Sequence, residues 1–163
     1  MSALCRWLSV LLLIGLVGCA GPPERPTTQR QALYGLGERA AQATVDTPDW
    51  PRPVTEIVLL LARPEIDAAL GVETAHFRET LTRALLAQEP GPQVLDWTPD
   101  MAESAVPDNQ WLLESQLLAD GPALVLSDRR LLPYRLKLTL RRPDAAQPRW
   151  ERTIHGALDA SAL

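Results

Sequence analysis

The chain has 163 residues, with 16 basic and 20 acidic side chains and a formal net charge of −4 at pH 7. That length predicts a single domain. The mildly acidic balance excludes a general electrostatic attraction to nucleic acid or anionic lipid. Lys137 is the only lysine, so the positive charge is carried almost entirely by arginine.

The first element is an apolar run from Trp7 to Val17 that follows Arg6. A short basic start, about ten apolar residues and small residues at a cut site form a secretory signal. The run falls short of the roughly 20 residues of a membrane-spanning helix. It ends in Leu16-Val17-Gly18-Cys19, which resembles a bacterial lipobox. The resemblance implies that residues 1–18 are removed and that Cys19 becomes the first residue, with diacylglycerol on its sulfur and an acyl chain on its amine. Several chains on one residue are enough for stable anchoring. Residue 20 is alanine rather than aspartate, which by resemblance to lipoprotein sorting in Gram-negative bacteria favours the outer membrane. Cys5 and Cys19 are the only cysteines. With one removed and the other acylated, no thiol remains for a disulfide or a metal.

Residues 19–52 read as a tether. Gly21, Pro22, Pro23, Pro26, Pro48 and Pro51 punctuate it and large aliphatics are scarce, a composition that buries too little surface to offset its ordering entropy. Arg30 to Ala43 is a transient helix at most, because Gly35 and Gly37 each weaken it by roughly 1 kcal/mol. Such a segment would reach about 110 Å extended and about 30–35 Å as a coil, holding the folded part well off the membrane.

The folded domain is expected over residues 53–163. Val54 to Ala62 is an apolar run suited to a central strand covered on both faces. A helix follows from Ala75 to Gln88, with Thr74 as its N-cap and Phe77, Leu81, Ala84 and Leu85 as its apolar stripe. Gln93–Trp97 is a short strand, and Thr98–Val106 holds a helical turn with Met101 and Ala105 inward. Trp111–Leu118 is a third strand. A break at Gly121-Pro122 precedes Ala123–Leu126. Leu132 to Arg141 alternates, with Leu132, Tyr134, Leu136, Leu138 and Leu140 on one face, and predicts a strand with one face in water. Residues 142–148 form a hairpin loop, Arg149–Gly156 returns, and the tail from Ala157 frays. The fold class is α+β, an open α/β sandwich: β-α-β, then a three-strand antiparallel meander, with helices packed on a mixed sheet.

No motif for catalysis is present. His76 and His155 stand without cysteines or carboxylates at ligand spacing, so no metal site and no cofactor is expected. Asp96, Asp100 and Glu103 are close in sequence; they would do acid–base work on a carbohydrate only if they converged in a cleft. Arg129-Arg130 and Arg141-Arg142 flank one strand, and this arginine-rich edge is the expected partner-binding surface, since arginine is favoured at interfaces. Trp97, Trp111 and Trp150 are expected in the core, and any one left exposed would be a hot-spot residue.

Trp111-Leu112-Leu113-Glu114-Ser115-Gln116-Leu117 resembles the strand that enters the final sheet in the LpoB family of penicillin-binding-protein activators. Tyr134 to Leu140, a short loop and Trp150 resemble that family's closing hairpin, and the upstream β-α-β is similar in layout, as in TolB amino-terminal-like domains and curli and flagellar lipoproteins. The chain departs from the pattern at Ala119–Leu131, where a tight turn is usual, and at Ser115, where glycine is common. The resemblance implies a non-enzymatic outer-membrane lipoprotein facing the periplasm. It would bind a periplasmic protein, a penicillin-binding protein that synthesises peptidoglycan, and raise its activity. The alternative is a structural or assembly lipoprotein of a flagellar or secretion complex.

Overall fold

The computed structural model describes residues 28–46, 49–103 and 106–160. The signal, the lipobox and Cys19 lie outside these residues. Strand β1, Val58–Leu61, is a run of four buried aliphatics. It lies between β3 (Gln93–Asp96) and β4 (Gln110–Ala119), parallel to both. This central position explains the unbroken apolar run, because both faces are covered. The strand begins later than expected: Val54–Glu56 form a short 3-10 turn, which Asn109 holds by donating from Nδ2 to the Glu56 carbonyl at 2.9 Å.

β6 (Arg130–Arg141) runs antiparallel to β4, with Leu112 opposite Arg141 and Ala119 opposite Tyr134. β7 (Trp150–Asp159) pairs along the other side of β6. The sheet order is thus β3-β1-β4-β6, with β7 outermost. Short β2 (Glu65–Ile66) extends alongside β4. β5 (Leu124–Val125) continues on the β4 side of β6. The tail does not fray from Ala157 as expected, because Leu158 is buried in the core and fixes the end of β7.

Alternation sets the faces. Trp111, Leu113, Leu117, Tyr134, Leu136, Leu138 and Leu140 point to one side, where two helices cover them. Helix α2, Thr74–Leu86, buries Phe77, Leu81, Ala84 and Leu85 as its stripe predicts. Its N-cap is Glu73 rather than Thr74. On the opposite face, Val58, Leu60 and Leu112 form a small second cluster under Ala62, Trp97 and Met101. Met101 sits on a 3-10 turn, Pro99–Glu103. The fold is α+β, as expected.

The tether expectation is corrected. Thr28–Val45 form an 18-residue helix, α1, whose Leu33, Leu36, Ala40 and Ala41 are at most 1% exposed within the main core. Helix propensity is a weak prior that tertiary burial overrides, and here one of the two glycines serves the packing. A Cβ on Gly37 would lie 2.8 Å from Thr80 Cγ2 and 3.2 Å from the Thr80 carbonyl oxygen of α2, so the helices approach where Gly37 has no side chain. Thr44, also buried, satisfies its hydroxyl on the Ala40 carbonyl at 2.8 Å. Arg39 of α1 donates to the hydroxyl of Tyr134, and Trp50 Nε1 donates to the Val45 carbonyl at 3.1 Å. Among the described residues no helix is long and apolar enough to cross a membrane.

Membership of α1 in the core is testable. Leu36→Ala should cost about 2–5 kcal/mol, seen as a lowered urea midpoint of the whole domain, and Gly156→Val should cost about 1–3 kcal/mol by overpacking. A Cβ on Gly156 would lie 2.6 Å from Tyr134 Cζ. An unchanged midpoint for Leu36→Ala would return the segment to a tether.

Candidate partner-binding surface

The four arginines do not share a surface. They occupy or adjoin the two ends of β6, a twelve-residue strand, and at about 3.3 Å per residue the ends lie roughly 35 Å apart. Arg141 is committed internally. Its Nε and Nη2 donate to Glu114 Oε1 at 3.1 and 2.9 Å, and its Nη1 reaches the carbonyls of Arg142, Pro143 and Ala145. It thereby fixes the loop between β6 and β7. Arg142 donates to the carbonyls of Pro107, Asp108 and Gln110 at 2.9, 2.7 and 2.6 Å, and its guanidinium lies 5.5 Å from the Trp111 ring centroid. It clamps the segment that leads into β4. With side chains only 22% and 23% exposed, both arginines spend their donors on the fold.

Arg129 and Arg130 lie at the other end, in the hairpin that joins β5 to β6. Arg129 is held by Asp128, with Nη2 to Oδ2 at 2.7 Å, and this hydrogen bond raises its pKa further. Arg130 is exposed and sits opposite Val125. The turn closes by a bond from the Leu126 amide to the Arg129 carbonyl at 2.8 Å. Beside the arginines stand three consecutive aliphatics, Leu124, Val125 and Leu126, exposed by 50%, 80% and 48%. Gly121, at φ 130°, is the bend that separates this arm from β4; only glycine adopts such an angle readily.

Across β4, β6 and β7 the sheet face away from the helices is polar and internally matched. Lys137 meets Glu151 at 3.0 Å, Arg141 meets Glu114, Gln116 donates to Glu65 at 2.7 Å, and His155 Nδ1 lies 3.0 Å from Asp120 Oδ2. Such exposed pairs stabilise little and leave this face without a strong field of either sign. On the helix side, a cavity of about 290 Å³ opens between α1 and α2, lined among others by Leu33, Tyr34, Glu38, His76, Thr80 and Arg83. His76 Nδ1 has no hydrogen-bond partner; its nearest carboxylate oxygen, on Glu73, is 3.5 Å away. Tyr34 is 53% exposed, and its hydroxyl, bonded to Glu38, has a raised pKa because the carboxylate disfavours the phenolate.

Of the carboxylates singled out in the sequence, Asp96 and Asp100 do not form a catalytic pair, and the side chain of Glu103 lies outside the described residues. Asp96 is turned toward α2 and lies 3.6 Å from Arg78, while Asp100 is exposed on the turn after β3. Among the described residues no group of three His, Cys, Asp or Glu side chains could hold a metal ion. Trp111 is buried and meets Trp50 edge to face at 5.7 Å; Trp97 and Trp150 are partly buried against the two clusters. The arrangement offers candidate recognition surfaces, and two of them, the helix groove and the β5–β6 hairpin, lie outside the arginine edge expected from the sequence. The groove is not visible in the sequence, because the composition of residues 19–52 predicts a tether rather than a packed α1. The tip had a signal: Leu124-Val125-Leu126 lies between Asp120-Gly121-Pro122 and Ser127-Asp128, too short a stretch to bury consecutive side chains on both faces.

The fold is that of the LpoB C-terminal domain from Escherichia coli: the match has 12% identity and TM-score 0.50, and covers 76% of this chain and 97% of that one. Lipoprotein GNA1162 from Neisseria meningitidis is also similar, with 10% identity and TM-score 0.43 over 64% of this chain and 85% of its own. No protein-family model and no curated protein matches the chain.

The division among the arginines predicts opposite outcomes. Arg142→Ala should lower unfolding free energy by about 1–3 kcal/mol, because it strands carbonyl acceptors. Arg130→Ala should stay within about 0.5 kcal/mol of the parent, as exposed changes do. Urea titration of both variants checks this.

Proposed function

We propose that this chain is a lipid-anchored envelope protein, held by Cys19 at the periplasmic face of the outer membrane, and that it works by binding another protein rather than by catalysis. Its partner on this reading is a peptidoglycan synthase of the penicillin-binding class, whose rate it raises. The observation that carries the reading is an LpoB-like domain, matched over 97% of the LpoB domain, on a chain whose sequence places a lipobox before it. The convergence of resemblance at Trp111–Leu117 and Tyr134–Trp150 with this fold supports it further.

The packing of α1 changes how such a protein would meet its partner. Only residues 20–27 separate Cys19 from the start of α1, and fully extended they bridge at most about 30 Å. A synthase anchored in the other membrane therefore has to extend its own binding module toward this domain.

The test uses the purified lipidated protein and a purified bifunctional peptidoglycan synthase in detergent. Glycan polymerisation should accelerate on addition of the lipoprotein, with saturation as the complex fills. An unchanged rate with no association by sedimentation, accompanied by binding to subunits of a flagellar or secretion assembly, would replace this reading with the structural one.

A further inference from the structure

The position of the exposed aliphatic tip relative to the start of α1 leads to a specific role. Helix α1 runs antiparallel to β7. Its C-terminal end lies by the start of β7, where Asp46 and Trp150 line one groove, and Val45 bonds Trp50, which meets Trp111 edge to face. Further back, Arg39 bonds the hydroxyl of Tyr134, which sits opposite Gly156. From that crossing, the eleven residues back to Thr28 rise about 16 Å at 1.5 Å each. From the same crossing, β6 runs back from Tyr134 to Arg130 over about 13 Å at 3.3 Å per residue. The first residue of α1 and the β5–β6 hairpin therefore emerge at the same end of the domain. Trp111, Trp150 and the β6–β7 loop mark the opposite end.

We propose that the tip Leu124-Val125-Leu126 is a membrane-docking element that enters the phospholipid leaflet holding the Cys19 acyl chains. The proposal rests on the Cys19 anchor. Two observations select a lipid surface as the occupant. The stretch between the acylated residue and α1 is short and ends at the same end of the domain as the tip, so the anchor itself brings this end to the membrane. The chemistry also matches: the consecutive exposed aliphatics of the β5 arm suit the acyl region, and Arg130, opposite Val125 on the paired strand, suits phosphate. Asp128 neutralises Arg129, and Asp120 and Asp159 lie at this end too, so burial of the aliphatics is the main attraction and the headgroup contact is secondary. The lipid and the tip together form two attachments, which fix the orientation of the domain instead of letting it swivel.

The mature chain offers a direct test, since an acylated Cys19 leaves no other thiol. Val125→Cys and Ala146→Cys variants of the full lipidated chain would each carry one environment-sensitive fluorophore. Ala146 is exposed in the β6–β7 loop at the far end. In vesicles of phosphatidylethanolamine and phosphatidylglycerol, the label at 125 should shift to the blue and be quenched several-fold more by acyl-chain bromines than the label at 146. Combining Leu124→Asn and Leu126→Asn with the 125 label should abolish the difference, while circular dichroism verifies the fold. Equal, water-like emission at both positions in a chain whose acyl mass is verified would overturn the docking and leave the anchor standing. A chain lacking the acyl mass would overturn the anchor and the docking with it.

Discussion

The seating of α1 on the β6–β7 half of the sheet is the constraint that the rest of the structure depends on. Helix α2 covers the β1–β3 side, where Arg78 reaches Asp96. One thirteen-residue helix cannot also cover Tyr134, Leu136 and Leu138 of β6 together with Ile154 and Leu158 of β7. These residues face the same side, and without α1 they would meet water. Covering them sets the requirements that α1 satisfies: an aliphatic stripe at Leu33, Leu36, Ala40 and Ala41, and a glycine at the point of closest approach to Thr80. Each fully buried aliphatic side chain contributes about 1.5–3 kcal/mol, enough to outweigh the propensity lost at two glycines. Tyr134 ties the two layers. Its ring fills the space above Gly156, its hydroxyl meets Arg39, and burial raises its pKa while the guanidinium opposes the rise.

How legible each part was in the sequence follows from whether its signal was local. β6 could be read because period-two alternation over ten residues has one interpretation, and α2 because its stripe repeats at helical spacing between clear stops. β1 could be read as central because the apolar run is continuous. α1 is hidden for the opposite reason. Most of its residues are good helix formers, but Gly35 and Gly37 interrupt it and prolines flank it, and what seats it is burial against strands that lie about a hundred residues later in the chain. The arginines show the same limit. Arg141 and Arg142 look like a basic edge in the sequence, and only the loop carbonyls that fold back onto them reveal a structural role. Gly156 reads as a weak strand residue until the register places Tyr134 opposite it.

The surfaces left over after folding divide by chemistry. The open sheet face has matched its charges locally, so a protein partner binding there would have to break pairs such as Lys137–Glu151 and regain equivalent contacts. The helix groove is different: it combines an apolar floor at Leu33 and Ala84 with a rim of Glu38, Glu79 and Arg83. Apolar centres with polar rims are the usual anatomy of protein interfaces. On the binding-module reading, the groove is the better starting point for mapping contacts than the arginine edge expected from the sequence.

The packing of α1 into the core also bears on how the proposed activation would work. A domain on a long coil samples a wide volume, and its effective concentration at any one partner falls as the coil lengthens. On the proposed anchoring at Cys19, a domain within about 30 Å of its lipid instead occupies a thin layer beside the membrane, with high local concentration for whatever enters that layer and none beyond it. If the β5–β6 tip also contacts lipid, the Trp111 end points outward and the α1–α2 groove stands along the side of the body, open to a partner arriving from the periplasm. Partner choice then depends less on affinity than on which proteins can extend into the layer. On the proposed function, an activator so placed would report that a synthase has come within reach of the outer membrane, and would act only there.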